Sequence, residues 1–323
     1  LSLIVQDQQK FQYQPVISIL MPVYNVAEEY LVKALVSLKQ QTYPRWELCI
    51  CDDASTLPYI KPLLERYARE DERIRVVFRP KTGGIVKASN DALKLAQGAY
   101  VGLLDSDDEL APDALYEVVK NLQEKKMDLL YSDEDKLDQD GNRCEPFFKP
   151  DWSPDLLLSV NYIAHFSVFR RKLLNELNGF REGMDGGQDY DLILRFTEKT
   201  SSIKHIAKIL YHYRKKASVG GSSIDISKKA LSDAMRRRCI EGEVVDGLWH
   251  GSYRVKRAIK SEPLVSIIIP FKDKKELLER CVESILTKST YKNYEIILVD
   301  NNSELFETQE YLKTLASRDQ NQR

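Results

Sequence analysis

The sequence has 323 residues, of which 43% are hydrophobic, and this length suggests about two domains with buried cores. The formal net charge is −1, so no overall basic field attracts nucleic acid, and we expect no nucleic-acid partner. No apolar run approaches the roughly 18 residues of a membrane-spanning helix, and no signal peptide is recognisable. The five cysteines form no CxxC pair, which favours a reducing, cytoplasmic setting.

Residues 1–15 are polar and predict a leader or linker, and the start at Leu1 rather than Met suggests part of a longer protein. Apolar runs then alternate with segments of helical spacing. We predict strands at 16–21, 46–51, 74–78 and 100–104, with helices at 27–41, 58–70 and 83–96 between them. This alternation is typical of an α/β fold with a mostly parallel sheet flanked by helices.

The middle of the chain is less regular, and its elements are predicted one by one. We predict a helix at 113–126, a strand at 128–132, an acidic hairpin at 133–142, a strand over 161–171, a helix from 188, a strand at 205–214 and a helix at 225–241.

Polar side chains follow three of the predicted strands at their carboxyl ends. They are Tyr24 and Asn25, Asp52 and Asp53, and Asp105 and Asp107. The carboxyl ends of parallel strands meet at one edge of a sheet, where open α/β sheets bind ligands. We therefore expect these side chains to converge on one site.

The acidic turn at residues 105–109 is the strongest candidate for chemistry. Asp105 and Asp107 are two positions apart, and a short turn aims both carboxylates at one point, as a divalent cation such as Mg²⁺ or Mn²⁺ requires. The alternative is a solvated acidic turn before a helix. We expect Asp108 and Glu109 to cap the following helix.

Four later features each allow two interpretations. Asp189 follows two glycines at the start of a predicted helix, and it is either a helix cap or a general base. His212 is either structural or an imidazole that contacts metal or phosphate. The segment 215–223 is either a loop that closes over an anionic ligand or a plain linker. The basic run at 236–238 is either a solvated face or a contact with acidic lipid.

The start of the chain is repeated near its end. The segment 16–25 matches 264–273, and 42–55 matches 290–303, so that Pro22 aligns with Pro270 and Asp52 with Asp300 at an offset of 248 positions. Asn25 becomes Asp273 and Asp53 becomes Asn301 in this copy. The equivalent of Asp105 would fall near position 353, so we expect one complete active site in this sequence.

The motifs, in their order and spacing, resemble the family 2 glycosyltransferases, which have the GT-A fold. The resemblance covers residues 16–214 and resumes at 264, and its tandem form is similar to bacterial enzymes that build O-antigen or other surface polysaccharides. It is carried by PVYN at 22–25, CDDAS at 51–55, GGIVKASNDAL at 83–93, LDSDDEL at 104–110, GGQDYDLILR at 186–195 and LYHYR at 210–214. It implies four parts: 1–15, a leader; 16–224, a GT-A domain; 225–262, a helical connector; and 263–323, the truncated start of a second GT-A domain.

The resemblance also implies a reaction and roles for residues. Members transfer a sugar from a nucleoside-diphosphate donor to a hydroxyl with inversion, and UDP or dTDP donors are favoured here. Asp105 and Asp107 are the expected DxD pair for Mn²⁺ or Mg²⁺, with His212 beside the metal or diphosphate. Asp189 is the expected base, with Asp191 as the fallback. The expected donor-binding residues are Pro22, Tyr24, Asn25, Asp52, Asp53, Arg79, Lys87 and Ser106.

The sequence departs from the family pattern at two places. Gln188 stands where an acidic residue usually precedes the base, and Lys81-Thr82 stands where many members carry Asn before the paired glycines. Two other functions stay open: a non-catalytic sugar-nucleotide-binding or interaction module, and a nucleotidyltransferase. A nucleotidyltransferase would require a glycine-rich loop with basic residues after the first strand. The resemblance implies a lipid-linked glycan acceptor and peripheral association with the cytoplasmic face of the inner membrane.

Overall fold

The computed structural model describes residues 2–215 and 222–318, and the chain divides into two compact units, Leu1–Arg257 and Ala258–Arg323. Most of the loop predicted at 215–223 lies outside the described residues. The helices of the first unit are α1 (Ser2–Gln8), α2 (Glu28–Lys39), α3 (Ile60–Glu70), α4 (Ile85–Leu95), α5 (Ala114–Glu124), α6 (Pro154–Leu157), α7 (Arg171–Glu176), α8 (Gln188–Thr197) and α9 (Ser222–Arg237).

The strands of the first unit form one large sheet and one small hairpin. They are β1 (Ile17–Val23), β2 (Trp46–Asp52), β3 (Ile74–Phe78), β4 (Tyr100–Leu103), β5 (Glu109–Leu110), β6 (Leu129–Leu137), β7 (Arg143–Phe147), β8 (Ser167–Arg170), β9 (Ile203–Arg214), β10 (Gly242–Asp246) and β11 (Tyr253–Arg257). Within the described residues the large sheet has the order β3-β2-β1-β4-β8-β6-β9-β5, with β7 beside β6.

The sheet has a parallel half and a mixed half. Strands β3, β2, β1 and β4 run parallel, as predicted, because helices connect them. Strand β8 is antiparallel to both β4 and β6, whereas β6 and β9 pair in parallel. The predicted α/β class with a mostly parallel sheet flanked by helices is confirmed. The mixed half brings β9 across to the acidic turn, where β5 pairs with it.

The two faces of the sheet are both buried. On β2, Leu48 and Ile50 pack in one hydrophobic cluster with α2, α3 and α5, while Cys49 and Cys51 pack in another with α4, α8 and α9. This alternation follows from the two-residue period of a strand. Both cysteines are small core residues, because each is 0% exposed.

The second unit contains β12 (Val265–Phe271) and β13 (Tyr294–Asp300), which pair in parallel, and the helices α10 (Lys275–Lys288) and α11 (Phe306–Arg318). Its small core contains Leu278, Val282 and Tyr311. Among residues 2–215 and 222–318, no helix is both long enough and apolar enough to cross a membrane.

The hydrogen bonds of the second unit repeat those of the first at the offset of 248 positions. Ser18 Oγ donates to Glu47 Oε1 at 2.6 Å, and Ser266 Oγ donates to Glu295 Oε1 at 2.6 Å. The strand register repeats as well: Ile17 is opposite Trp46, and Val265 is opposite Tyr294. The repeat in sequence is therefore also a repeat in local structure.

Candidate active site

The acidic turn follows β4 and is held by the end of β9. The Tyr211 hydroxyl donates to Asp108 Oδ2 at 2.7 Å, and the amide of Arg214 donates to Asp108 Oδ1 at 2.7 Å. Burial of Asp108, reinforced by the nearby Asp105 carboxylate, raises the pKa of the Asp108 carboxyl above its ordinary value. The prediction that Asp108 caps the next helix is wrong, because its carboxylate is 0% exposed and bonded to β9.

The guanidinium of Arg214 fastens the same turn from the other side. Its Nε donates to the Asp107 carbonyl at 2.9 Å, and its Nη2 donates to Glu109 Oε1 at 2.7 Å. Glu109 lies on β5 opposite His212, and its side chain pairs with Arg214. The prediction that Glu109 caps the following helix is therefore wrong. Arg214 ends the LYHYR motif, and the sequence predicts no role for it.

His165 is the histidine that lies at the acidic turn. Ligand atoms of Asp105, Asp108 and His165 all lie within 4.8 Å of one another. The His165 ring stacks on the Tyr211 ring with centroids 4.6 Å apart, and its buried Nδ1 has no hydrogen-bond partner among the described residues. Burial disfavours the imidazolium, but the carboxylates of Asp105 and Asp189 outweigh this and raise the pKa of His165.

These side chains fit a divalent cation. The buried Nδ1 of His165, which has no hydrogen-bond partner among the described residues, lies beside carboxylate oxygens. Carboxylate oxygens are suitable ligands for both Mn²⁺ and Mg²⁺. Asp108 fits this role less well than Asp105, because both of its oxygens already accept hydrogen bonds from β9.

His212 lies elsewhere. Its Nδ1 is 2.5 Å from Asp135 Oδ1, and it alternates along β9 with Tyr211, which faces His165. The structure therefore does not bring His212 into the group at the acidic turn, contrary to the prediction of a metal contact, because strand alternation turns it to the other face.

A buried lysine positions the segment that carries His165. Lys149 Nζ donates to Glu134 Oε2 at 2.9 Å, to the Ile163 carbonyl at 2.8 Å and to the His165 carbonyl. Burial lowers the pKa of Lys149, while Glu134 opposes this shift. The prediction of a strand over 161–171 is wrong at its start, since β8 begins only at Ser167 and His165 lies in irregular backbone.

A cavity of about 450 Å³ opens beside the acidic turn. It joins the carboxyl ends of β1, β2 and β4 to the start of α4. Six predicted site residues line it, namely Pro22, Tyr24, Asp53, Asp105, Ser106 and Asp107. The expected convergence of strand ends is therefore present in the structure.

Asp53 lines this cavity as well. Its carboxylate accepts hydrogen bonds from the amides of Gly83 and Gly84, each at 2.9 Å, and lies 2.8 Å from Arg79 Nε. Gly84 has a φ of +87°, and a Cβ there would lie 2.3 Å from Asp185 Oδ1. The glycine pair thus lets the loop close over Asp53.

Four predicted donor-binding residues do not line this cavity. Asn25 Oδ1 accepts from the amides of Thr56 and Leu57 at 2.8 and 3.2 Å, so it holds the loop after β2. Asp52 is buried and accepts from the amide of Ser55 at 3.2 Å. Arg79 and Lys87 line a separate hollow of about 660 Å³. Local turns hold the side chains of Asn25 and Asp52, and Arg79 forms salt bridges with Asp53 and Asp91.

Asp189 lies in the first turn of α8, whose N-cap is Gly187. Among the described residues, the Asp189 carboxylate accepts a hydrogen bond from Gln188 Nε2 at 3.3 Å and none from a backbone amide. Burial, reinforced by Asp105, raises the pKa of Asp189 to about 6, although the charge of His165 and a hydrogen bond from Gln188 lower it. The helix-cap interpretation of Asp189 is therefore wrong. A carboxylate with this pKa is suited to accept a proton near neutral pH.

Asp191 cannot serve as the fallback base. It is 0% exposed, and its two oxygens accept from Arg181 Nη2 at 2.6 Å and Arg195 Nε at 2.8 Å. It is a buried ion-pair residue that ties α8 to the preceding segment.

The basic run at 236–238 is paired with acidic side chains. Arg237 Nε lies 2.7 Å and Arg238 Nε 3.2 Å from Glu198, and Arg236 bonds to Asp233. These pairs favour the interpretation of a solvated face over that of a lipid contact.

The sequence model described as Glycosyl transferase family 2 matches residues 18–177 and 266–323. The chain belongs to glycosyl transferase family 2. The predicted family is therefore confirmed, and the acidic turn, Asp53 and His165 all lie inside the first matched segment.

Relatives of this family 2 chain include much longer proteins. It is 42% identical to the uncharacterized protein y4gI of Sinorhizobium fredii, over 96% of the chain and 35% of that protein. It is also 42% identical to the O-antigen biosynthesis protein RfbC of Myxococcus xanthus, over 91% of the chain and 24% of that protein. The chain thus spans between about a quarter and a third of these relatives.

A solved structure has the same fold. S. aureus TarS 1–349 in complex with UDP matches with a TM-score of 0.57 and 21% identity, over 68% of this chain and 65% of that one. The likeness places the family 2 chain among GT-A-type folds.

Proposed function

We propose that the chain is an inverting, metal-dependent glycosyltransferase that moves a sugar from a UDP or dTDP donor to a hydroxyl of a growing bacterial surface glycan. The observation that carries this proposal is the cavity of about 450 Å³, which both Asp53 and the acidic turn line. Such a cavity at the strand ends of an α/β sheet is a common nucleotide site.

The donor is proposed to lie across this cavity, with its base and ribose near Tyr24 and Asp53 and its diphosphate near Asp105, Ser106 and Asp107. Solved structures of TarS in complex with UDP and with UDP-GlcNAc support a nucleotide-sugar donor for this fold. The exposed Tyr24 ring, at 54%, is available for stacking on a base.

Asp105, Asp107 and His165 are the residues that would hold Mn²⁺ or Mg²⁺. The unpartnered His165 Nδ1 supports this assignment over His212. A bound cation supplies charge neutralisation for the diphosphate leaving group. Arg214 and Tyr211 hold the acidic turn, and Lys149 holds the segment that carries the histidine.

Asp189 is proposed to accept the proton of the acceptor hydroxyl. The hydroxyl oxygen forms a bond to the anomeric carbon on the face opposite the diphosphate, and the bond from that carbon to the phosphate oxygen breaks. Its electron pair leaves with the nucleoside diphosphate, and the proton goes to the Asp189 carboxylate. One displacement of this kind inverts the anomeric carbon, and a base with a pKa near 6 is mostly ionised at neutral pH.

The acceptor is proposed to be a lipid-linked glycan at the cytoplasmic face of the inner membrane. The names of RfbC, an O-antigen biosynthesis protein, and of the chondroitin synthase of Escherichia coli, 37% identical over 61% of this chain, support a polysaccharide product. The free cysteines support a reducing compartment.

The second unit is proposed to be the start of a second domain of the same kind. Its repeated register and hydrogen bonds support this, as does the family match at 266–323. Asp273 already reproduces the loop contacts of Asn25, since its Oδ1 accepts from the amides of Glu304 and Leu305 at 2.9 Å.

The test is release of nucleoside diphosphate from UDP- and dTDP-sugars in the presence of Mn²⁺. We expect turnover by the full chain, and its loss in Asp105→Asn and Asp189→Asn. Asp140→Asn, an exposed carboxylate in the turn between β6 and β7, is the matched control and keeps its activity. Equal turnover by all four proteins would contradict the proposal.

A further inference from the structure

The segment 180–187, which leads into α8, contacts the start of α4. Asp185, four positions before Asp189, accepts a hydrogen bond at its Oδ1 from the amide of Val86 at 3.2 Å, across 99 positions of sequence. Gly84 is the N-cap of α4 and has no side chain that could accept from the first turn. The first amides of a helix have no partner inside the helix, so Asp185 supplies an acceptor from the segment before the proposed base.

The connection from Asp185 to Asp189 is short and tightly turned. Gly183 and Gly186, before and after Asp185, have φ angles of +75° and +88°. The amide of Gly186 donates to Gln188 Oε1 at 2.8 Å, which joins the segment to the first residue of α8. The position of Asp185 therefore bears directly on the position of Asp189.

Asn90, one turn further along α4 than Val86, binds the other end of the same segment. Its Nδ2 donates to the Phe180 carbonyl at 2.8 Å, and its Oδ1 accepts from the Phe180 amide at 2.9 Å. Val86 and Asn90 are four positions apart and lie on the same face of the helix. The segment is therefore held against α4 at two points, Phe180 and Asp185.

The first turn of α4 also belongs to the donor cavity. Gly84, Ile85 and Ala88 line the cavity of about 450 Å³, and the amide of Gly84 donates to Asp53. A Cβ on Gly84 would lie 2.3 Å from Asp185 Oδ1, so the lack of a side chain there admits the Asp185 carboxylate. The same turn of α4 thus contributes to the donor cavity and binds the segment that leads to the proposed base.

We infer that Asp185 is a positioning residue, whose hydrogen bond to the Val86 amide holds Asp189 in place relative to the donor cavity. Binding of a nucleoside diphosphate in the cavity steadies the Asp189 segment through the same bond. The inference rests on the proposed function, in which Asp189 accepts the proton of the acceptor hydroxyl. The contact needs an oxygen acceptor, which an amide side chain also supplies. Asp185→Asn therefore keeps the contact, whereas Asp185→Ala removes it.

The first measurement is hydrogen exchange by mass spectrometry on the full chain, with and without UDP and Mn²⁺. In the ligand-free proteins we expect Asp185→Ala to speed exchange at residues 181–189 by at least about threefold, while Asp185→Asn exchanges as the unaltered chain does. UDP should slow exchange there in the unaltered chain and in Asp185→Asn, but not in Asp185→Ala. Asp138→Ala is the matched control and changes neither result. Asp138 also accepts from a backbone amide, that of Asn142 at 2.8 Å, in the turn between β6 and β7.

The second measurement is the rate of nucleoside-diphosphate release from UDP- and dTDP-sugars with Mn²⁺. Because a small displacement of a reacting group is costly, we expect kcat to fall by about 10- to 100-fold in Asp185→Ala. Asp185 is not among the described residues that line the donor cavity, so KM for the donor and calorimetric UDP affinity should each change by less than about twofold. Asp185→Asn should restore kcat. A residue that only stabilises the fold would not produce a loss of kcat at constant KM.

The outcomes separate the two proposals. An unchanged kcat in Asp185→Ala, an equal loss in Asp185→Ala and Asp185→Asn, or a parallel loss of UDP affinity overturns the positioning role even if the unaltered chain is an active transferase. If the unaltered chain neither binds UDP or dTDP nor releases either from its sugars, the proposed function fails, and ligand-free exchange still tests the contact. Unchanged exchange at residues 181–189 in Asp185→Ala then overturns the inference, and faster exchange that Asp185→Asn does not show supports it.

Discussion

His165 stacks on Tyr211 with 4.6 Å between the ring centroids, and Tyr211 in turn donates to Asp108 at 2.7 Å. This contact joins a histidine from irregular backbone before β8 to the acidic turn after β4. Its location makes His165, rather than His212, the imidazole that we assign to the cation.

The first prediction compares these two histidines. Among the described residues His165 Nδ1 has no hydrogen-bond partner, whereas His212 Nδ1 is bonded to Asp135. His165→Asn should therefore weaken Mn²⁺ binding by roughly tenfold or more, and His212→Asn should change it by less than about threefold. Calorimetric titration of Mn²⁺ into each protein with UDP present measures the difference. The assignment fails if His212→Asn has the larger effect.

The second prediction concerns the proposed base. Asp189→Asn keeps the size of the side chain but removes the proton acceptor, so kcat should fall by about 10² to 10⁴-fold while UDP affinity stays the same. Steady-state rates with a UDP-sugar and calorimetric UDP binding test both halves. A variant that loses UDP binding as well would indicate that Asp189 supports the donor site and does not act as a base.

The third prediction is the pH dependence of the same group. The pKa of Asp189 is raised to about 6, so the carboxylate that accepts a proton is present above this pH and is lost as the pH falls through it. We expect kcat/KM to fall below a pH of about 6 with a slope of one proton. The profile is recorded between pH 5 and 8 with Mn²⁺ saturating, and a rate that is flat down to pH 5 contradicts the assignment.

The sequence predicts the convergence of strand ends at the cavity of about 450 Å³, because its residues follow strands directly. Asp53 and Asp105 come one or two positions after apolar runs, and parallel strands place such positions at one edge of the sheet. The role of Asn25 is not predictable in this way, because its Oδ1 is used by amides 31 and 32 positions away.

The groups around the acidic turn depend on pairings that no local pattern encodes. Tyr211 reaches Asp108 across 103 positions because β9 pairs with both β6 and β5, and Lys149 fixes His165 through irregular backbone. The sequence predicts a helix cap at Asp108 because acidic residues before helices are common, yet the burial of Asp108 depends on the mixed half of the sheet. One usable signal is the Tyr-rich end of β9, where Tyr211 and Tyr213 alternate with His212 and Arg214.

The fourth prediction separates Asp191 from Asp189 by stability. Asp191→Ala leaves Arg181 and Arg195 without their shared carboxylate. We expect the free energy of unfolding to fall by about 3 kcal/mol. This is the lower end of the usual range for a broken buried ion pair, because Arg181 is 34% exposed. Urea unfolding followed by circular dichroism should show this loss, whereas Asp189→Asn should unfold within about 1 kcal/mol of the unaltered chain. Equal destabilisation by both changes contradicts the division of roles.

The fifth prediction uses the internal repeat as its own control. Glu47 accepts hydrogen bonds from Ser18 Oγ and the Gln97 amide, each at 2.6 Å, and from the Gly98 amide at 3.0 Å. It also forms a salt bridge with Arg75. Glu295, in contrast, keeps only the bond from Ser266 Oγ, at 2.6 Å, among these contacts, and it lies in an exposed setting. Burial opposes ionisation of Glu47, but these bonds outweigh burial and lower the pKa of Glu47 in the folded chain. The contribution of Glu47 to folding stability is therefore present above its pKa in the unfolded chain, and it is lost as the pH falls through its pKa in the folded chain. Glu47→Ala should cost about 2 kcal/mol at pH 7 and less at pH 3, and Glu295→Ala under about 1 kcal/mol. Urea unfolding at both pH values measures this, and equal costs for the two variants would refute it.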